Sequence, residues 1–195
     1  ESLESFYKNR GYLNFSVNNS IISISDDKQE LFITIDIFEG DIFRINEVSI
    51  AGDFPVDENL IKKLIFVAND SIFSQELITA SEDNINNLLN NEGFLFSEVN
   101  GNLKEVEPNL VDIVFFIEPG QRTYVRNINF NGNERTHDIV LRREMRQMEK
   151  SWASNNLIET SKLRLNRLGF FKSVDYEKKS VPGSPDEIDV IFSVE

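Results

Sequence analysis

The sequence has no cysteine, a single histidine, a single tryptophan, and no unbroken apolar run longer than five residues, the longest being 64–68 and 113–117. Without cysteine there is no disulfide, no thiolate metal site and no cysteine nucleophile. A cysteine-free chain still leaves the compartment open. One histidine excludes every multi-histidine metal centre. Five-residue apolar runs are far too short to cross a bilayer as a helix. The sequence opens on Glu1 with neither Met nor an apolar leader, and so reads as a processed or excised piece. Bases are scarce as well: Lys+Arg 20 against Asp+Glu 33 give a net charge of -13. That excess repels a phosphate backbone and argues against general nucleic-acid binding.

What is present is a globular composition. The 195 residues are 40% hydrophobic, too apolar for a disordered acidic tail and enough for one large or two small domains. The charge is uneven. Residues 1–39 hold seven acids and three bases, residues 40–119 hold 15 and four, and residues 120–195 hold 11 and 13. An acidic middle and a mildly basic end suit different partners, or are simply solvated surfaces.

An internal repeat organises the chain. Gly11-Tyr12, Gly93-Phe94 and Gly169-Phe170 each close a helical pattern, and a valine follows at Val17, Val99 and Val174. Glycine suits the positive φ of a helix C-cap. Gly40 matches Gly120 and Gly52 matches Gly132, in each case 80 residues on. A period this long means tandem small domains.

Period-two patterns mark strands with one face on a core: Leu31, Ile33, Ile35 and Ile37; Val111, Ile113, Phe115 and Ile117; Ile188, Val190, Phe192 and Val194. A further strand follows each junction, through Phe43, Ile45, Val48 and Ile50 and through Val125, Ile128 and Phe130. Its phase slips between 45 and 48 and between 125 and 128, as at a bulge. Ser74 is expected to N-cap a helix carrying Leu77, Ile78, Ser81, Ile85 and Leu88. Ser154 is expected to cap one carrying Leu157, Ile158, Ser161, Leu165 and Leu168. The first of these should be one turn longer, because 19 residues separate Ser74 from Gly93 but 15 separate Ser154 from Gly169. Shorter helices are expected near 57–66, with Leu60, Leu64 and Ile65 apolar, and near 138–148, with Leu141, Met145 and Met148 inward. Hairpin turns are expected at 25–28, including Asp26-Asp27, at 107–109 and at 181–186.

The fold class is therefore α+β, each unit running strand, helix, helix, strand, strand. The expected divisions are 1–39, holding only a second helix and final hairpin, then 40–119 and 120–195, each complete, with linkers of about two residues.

Little in the chain looks catalytic. His137-Asp138 sits at a helix start, where capping or surface exposure explains it. Asp186-Glu187 lies in a turn without the spacing of a calcium loop. Asn131-Gly132-Asn133 carries one glycine and reads as a turn, so no cofactor is expected. No nucleophile, base and orienting group can be assembled, and the chain reads as no enzyme. Trp152 suits either a core plug or an interface anchor.

Two features suit binding. The strands at 15–24, 96–106 and 171–180 are polar and interrupted, as edge strands are. An open edge can add an extended peptide through main-chain bonds, here through Phe15, Val17, Phe96 and Val99. The alternative is a protected edge with no guest. The second feature is the stretch 141–150, where helical spacing brings Arg142, Arg146 and Glu149 together on an exposed face. This is either a solvated face or a charged docking patch.

The order of elements, with Gly-aromatic after the second helix, resembles the polypeptide-transport-associated (POTRA) domain. Tyr124-Val125-Arg126, the run 141–149, Arg164-Leu165-Asn166-Arg167-Leu168-Gly169-Phe170-Phe171 and Val181-Pro182-Gly183-Ser184-Pro185-Asp186 look like the last such domain of outer-membrane β-barrel assembly factors. The resemblance implies tandem POTRA domains, two helices on a three-stranded mixed sheet in each, on the periplasmic side of a bacterial outer membrane, with a membrane barrel after Glu195. It further implies receipt of unfolded β-barrel precursors from periplasmic chaperones. It implies docking of accessory lipoproteins, BamD at the last domain with Glu149 as a contact, and BamB at the first domain's edge strand.

Overall fold

Among the described residues, alternation of apolar and polar residues builds eight strands, and apolar positions at helical spacing build five helices. The computed structural model describes residues 2–25 and 27–195, so Asp26 of the expected 25–28 turn lies outside the described residues. The order is α1 (Leu3–Lys8), β1 (Ser16–Ile24), β2 (Leu31–Phe38), β3 (Arg44–Gly52), α2 (Glu58–Lys62), α3 (Gln75–Asn91), β4 (Glu98–Glu107), β5 (Leu110–Glu118), β6 (Tyr124–Asn131), α4 (Asp138–Glu144), α5 (Asn155–Arg167), β7 (Val174–Val181) and β8 (Ser184–Val194). The α+β class and the strand, helix, helix, strand, strand order are those read from the sequence. The 17-residue α3 exceeds the 13-residue α5 by four residues, the expected single turn.

By contact the chain divides into two compact units, one of residues 1–52, 58–84 and 99–116, the other of 53–57, 85–98 and 117–195. In the first, β1 and β2 form an antiparallel hairpin, and β3, β5 and β4 lie side by side in that order, so β4 is an edge. Phe43, Ile45, Ile61, Phe73, Ile78, Val111, Ile113 and Phe115 are buried. Removing such side chains from water stabilises the fold by roughly 1.5–3 kcal/mol each. The face of β2 expected to sit on a core is instead open: Leu31, Ile33 and Ile35 are 57%, 59% and 46% exposed. Among the described residues the ribbon has no third strand, so its apolar alternation has nothing to pack against.

In the second unit the order is β6, β8, β7, with β6 parallel and β7 antiparallel to β8. The register of β6 shifts between Val125 and Asn127, which is the bulge the sequence phase required. Val125, Ile128, Leu141, Met145, Ile158, Leu165, Val174, Ile188, Val190, Phe192 and Val194 make one core. The expected 181–186 turn is tighter than read. Val181 pairs with Ser184, so Pro182-Gly183 alone turns the chain, with Gly183 at φ 85°, and Ser184-Pro185-Asp186 already belong to β8.

The 80-residue period recurs bond for bond. Ile45 and Val125 donate their amides to Ser71 and Ser151, both at 2.9 Å; Phe73 and Ala153 donate to Phe43 and Thr123 at 3.0 and 2.8 Å. The buried Ser81 and Ser161 hydroxyls accept from Phe66 and Arg146 at 2.9 and 2.8 Å. Those serine bonds correct the short helices. They take over the amides that would otherwise continue α2 and α4, so α2 ends at Lys62 and α4 at Glu144, with Met145 already extended at ψ 134°. Ile61, not Leu60, Leu64 or Ile65, is the fully buried residue of α2. On α3 the inward set is Ile78, Ser81, Ile85 and Leu89; Leu77 is 39% exposed and Leu88 half-buried, and on α5 Leu157 is 37% exposed.

The glycine C-caps are as expected, with φ 100°, 99° and 69° at Gly11, Gly93 and Gly169. The cap expected from the Ser154 side chain is corrected. Ser154 occupies the N-cap of α5 but its side chain makes no cap bond. The side-chain acceptor comes from an asparagine two residues before a glycine: Asn9 Oδ1 accepts from Glu76 N at 3.0 Å within the first unit. Asn91 Oδ1 accepts from Asn156 N at 2.9 Å within the second. Beside each, the glycine carbonyl accepts an amide at 2.8 Å from the residue just before a strand, Phe43 before β3 on Gly11 and Thr123 before β6 on Gly93. A Cβ at Gly93 would meet Arg122 Cγ and Trp152 Cβ at 3.0 Å, besides the strain of its positive φ. Trp152, 47% exposed, lies against that glycine, with the Arg122 guanidinium 5.3 Å from its ring centre.

Candidate protein-interaction surfaces

The stretch after α4 is held by one buried amide. Gln147 is fully buried. Its Nε2 donates to Met148 O at 3.0 Å, Ser151 Oγ at 2.9 Å and Trp152 O at 3.0 Å, and its Oε1 accepts from Ser154 N at 2.9 Å. A buried amide with its bonds made is well tolerated and fixes the loop around it. With Gln147 inward, the residue after it turns outward. Met148, expected inward, is therefore 64% exposed, while Met145 stays buried. The helix stops too soon to keep Met148 in phase with Leu141.

Arg142 and Glu149 do meet. Arg142 donates Nε to Asp138 Oδ2 at 2.6 Å, Nη1 to Glu149 Oε1 at 3.2 Å and Nη2 to Ile128 O at 3.0 Å. Glu149 Oε1 also accepts the Ile128 amide at 2.8 Å. The bond to Asp138 chiefly, and that to Glu149, hold the guanidinium pKa above its ordinary value. In the 80-residue register Asn69 does the same bracing, accepting Val48 N at 3.1 Å. An uncharged amide therefore suffices for the strand, and the carboxylate at Glu149 adds its grip on Arg142. Arg142, Glu149, Met145, Gln147, Met148 and Ile128 line a shallow pocket of about 180 Å³. Arg146 is exposed but does not join this pocket. With α4 ended, the helical spacing that would have aligned it with Arg142 no longer applies.

The three strands read as edges are β1, β4 and β7, and β4 and β7 are the outer strands of their sheets. Not all the expected peptide-holding residues are available. Phe15 is 5% exposed and stacked on Tyr7 with ring centres 4.2 Å apart, and Val99 is 5% exposed. Val99 is a core residue because alternation along β4 points it inward, and Phe15, just before β1, is covered by Tyr7. Val17 and Phe96 are 47% and 57% exposed. The edges differ in their ties to the helix above. On β7, Lys162 reaches Asp175 at 2.9 Å, Tyr176 donates to Glu159 at 2.7 Å and Lys178 donates to Asn155 at 2.7 Å. Desolvation, then the bond to Glu159, push the Tyr176 hydroxyl up to about 12, and desolvation lowers the Lys178 ammonium. On β4 the tie is to the backbone: Glu82 Oε1 of α3 accepts the Gly101 amide at 2.6 Å. Sequence reading missed this pair. Its signal was a glycine inside a strand pattern, which marks close approach.

His137 stands at the N-cap of α4, exposed, with no side-chain cap bond. Asp186 and Glu187 lie in β8, not in a turn. Among the described residues no group of three or more His, Asp or Glu side chains could hold a metal ion, and no helix is long and apolar enough to cross a membrane.

Comparison with known proteins bears on these surfaces. The family model described as "POTRA: Surface antigen variable number repeat" matches residues 1–40, 43–120 and 123–195. An outer membrane protein assembly factor BamA of Neisseria meningitidis is 34% identical over the whole of this chain, which spans 25% of that protein's length. BamA of Buchnera aphidicola is 28% identical, again over the whole chain and 32% of its own length. The chain thus spans about a quarter to a third of these relatives. Among solved structures, Haemophilus influenzae BamA POTRA3-5 matches 98% of this chain and 76% of its own, at 29% identity and a TM-score of 0.84. BamA from Haemophilus ducreyi lacking POTRA domains 1-3 matches 78% of this chain and 29% of its own, at 33% identity and a TM-score of 0.70.

Proposed function

The chain belongs to the POTRA family, and from that premise we propose that it is a periplasmic scaffold section of an outer-membrane protein assembly machine. Its work is to dock accessory lipoproteins and to pass unfolded β-barrel precursors, received from periplasmic chaperones, toward a membrane barrel. The observation that carries this reading is likeness along the whole chain to outer membrane protein assembly factors. We assign residues 1–39 to the end of one domain, and 40–119 and 120–195 to two complete ones, the last adjoining the barrel. The role is binding and positioning, with no chemical step.

In this reading BamD docks on the last domain at the pocket framed by Arg142 and Glu149, with Arg146 at its side, and BamB sits with the first domain. Precursor strands add at the edges, where Val17 and Phe96 are exposed. Exposed Met148 on the pocket's wall gives a docking partner an adaptable apolar grip. A second reading, a rigid spacer that positions partners without holding precursor strands, is favoured by the asparagine bonds that tie the end of α1 to α3 and the end of α3 to α5, and by the glycine bonds beside them.

Calorimetry of this chain against purified BamD, with Glu149→Lys and Glu149→Gln beside it, tests the docking. Binding lost in Glu149→Lys and weakened in Glu149→Gln supports a charged contact. Equal binding by all three moves the contact off Glu149. Photo-cross-linking of a precursor peptide to residues 96–106 separates scaffold from spacer, since a spacer gives no adduct even at high peptide concentration.

A further inference from the structure

Gly101 lies within the edge strand β4, and its amide has a single hydrogen. That hydrogen goes to Glu82 of α3 at 2.6 Å, so it is not donated to β5. On an outer strand, an amide not paired with the neighbouring strand is a donor that a guest could use. The residue type makes the contact possible. A Cβ at 101 would lie 2.7 Å from Ile78 Cγ2 and 3.1 Å from the Glu82 carboxylate itself. Gly101 has an ordinary φ, so close approach, not backbone strain, explains the glycine. Ile78 is buried and fixes the helix against the strand at this point. Glu82 is half-buried, one turn along the same helix. Its counterpart 80 residues on is Lys162, which reaches a side chain, Asp175, and no strand amide.

We infer that Glu82 is a built-in competitor for the β4 edge: its carboxylate holds the Gly101 amide that a guest strand needs, and strand addition to this sheet requires that it let go. The inference rests on the strand-addition reading proposed above and sets its regulation. The guest is an extended segment of alternating apolar and polar residues, which must offer a main-chain carbonyl where Glu82 now sits. A carboxylate is the stronger acceptor of the two, so the guest succeeds only when further main-chain bonds along β4 outweigh the one it displaces. The gate thereby favours long, regular strands over short or broken ones.

The test uses the whole chain and a fluorescein-labelled peptide of alternating valine and serine, read by fluorescence anisotropy. Glu82→Ala is expected to bind the peptide roughly three- to tenfold more tightly than the unaltered chain, the worth of one net hydrogen bond. Glu82→Gln, which keeps an uncharged acceptor, should fall between. Exchange of the Gly101 amide with deuterium, followed by NMR, should quicken in Glu82→Ala without peptide present. Unchanged exchange overturns the gate, because Glu82 then does not hold the amide. Equal affinities in all three forms overturn the gate alone. No binding by any form overturns the strand-addition reading and the gate with it.

Discussion

Asn91 Oδ1 accepts the backbone N–H of Asn156 at 2.9 Å, so the last residue of α3 serves as the N-terminal cap of α5. The acceptor reaches the second residue of the helix, the position an N-cap side chain normally serves. Ser154, in the cap position, leaves that task to it. Replacing Asn91 by Ala should lower stability by about 1 kcal/mol, read as an earlier midpoint in urea unfolding. Asn91→Asp keeps the acceptor and should cost much less. A midpoint unmoved by Asn91→Ala would show the bond to be absent in solution.

Gln147 predicts a larger effect. It is fully buried and satisfies two carbonyls, a hydroxyl and an amide. Gln147→Leu keeps the volume but strips the Ser154 amide of its acceptor and leaves Trp152 O only the 3.4 Å bond from Ser151, while Met148 O keeps the Ser151 hydroxyl; it should cost about 1–3 kcal/mol by the same unfolding measurement. The Ser154 amide should also exchange faster. If Gln147→Leu were neutral, the loop would be held by its packing alone.

Arg126 and Asp189 predict an acid dependence. The bond from Arg126 is the first cause of a carboxyl pKa held below the ordinary range. A lowered folded pKa contributes stability that is complete above the unfolded value near 4 and is lost as pH falls through the folded value. The stability difference between the unaltered chain and Asp189→Asn should therefore be full at neutral pH and shrink toward zero in strong acid. It should stay small, because Arg126 is 43% exposed and water screens the pair. A difference that did not change with pH would refute the linkage.

Tyr176 predicts an alkaline one. Its hydroxyl pKa of about 12 lies above the ordinary value, through desolvation first and the bond to Glu159 second. Stability from this group is complete below about pH 10 and is lost as pH rises through 12. Ultraviolet titration of the four tyrosines should show a late component that disappears in Tyr176→Phe. Persistence of that component in the variant would assign it elsewhere.

Much of the fold was legible because the repeat wrote it twice. The one-turn difference between α3 and α5 followed from the spacing of Ser74, Gly93, Ser154 and Gly169, and the β6 bulge from the phase slip between Val125 and Ile128. What could not be read depends on partners far along the chain. Met148 was placed inward because helical phase runs on from Leu141. The Ser161 hydroxyl, 15 residues after Arg146, takes the amide that would have continued the helix. Phe15 was placed on an exposed edge, whereas Tyr7 covers it face to face. The docking candidates were half legible: Arg142 and Glu149 meet, but their bonds to Ile128 on β6 lie outside any local pattern. Glu82 and Gly101 were invisible for the same reason, being 19 residues apart on different elements.

The asparagine and glycine bonds have a consequence for chain architecture. Asn9 and Gly11 offer the same two acceptors as Asn91 and Gly93, and the amides of Glu76 and Phe43 stand where those of Asn156 and Thr123 stand 80 residues later. Plug and socket are thus of one pattern at both junctions, like the couplings of railway wagons. Cutting out residues 41–120 would join Gly40 to Gln121 and leave Asn9 and Gly11 facing the donors that Asn91 and Gly93 serve now. A shortened chain of this kind would offer the same asparagine and glycine acceptors to those two donors, with Arg122 and Trp152 meeting Gly11 where Ile42 and Ile72 now lie and Asn156 meeting Asn9 where Glu76 now lies.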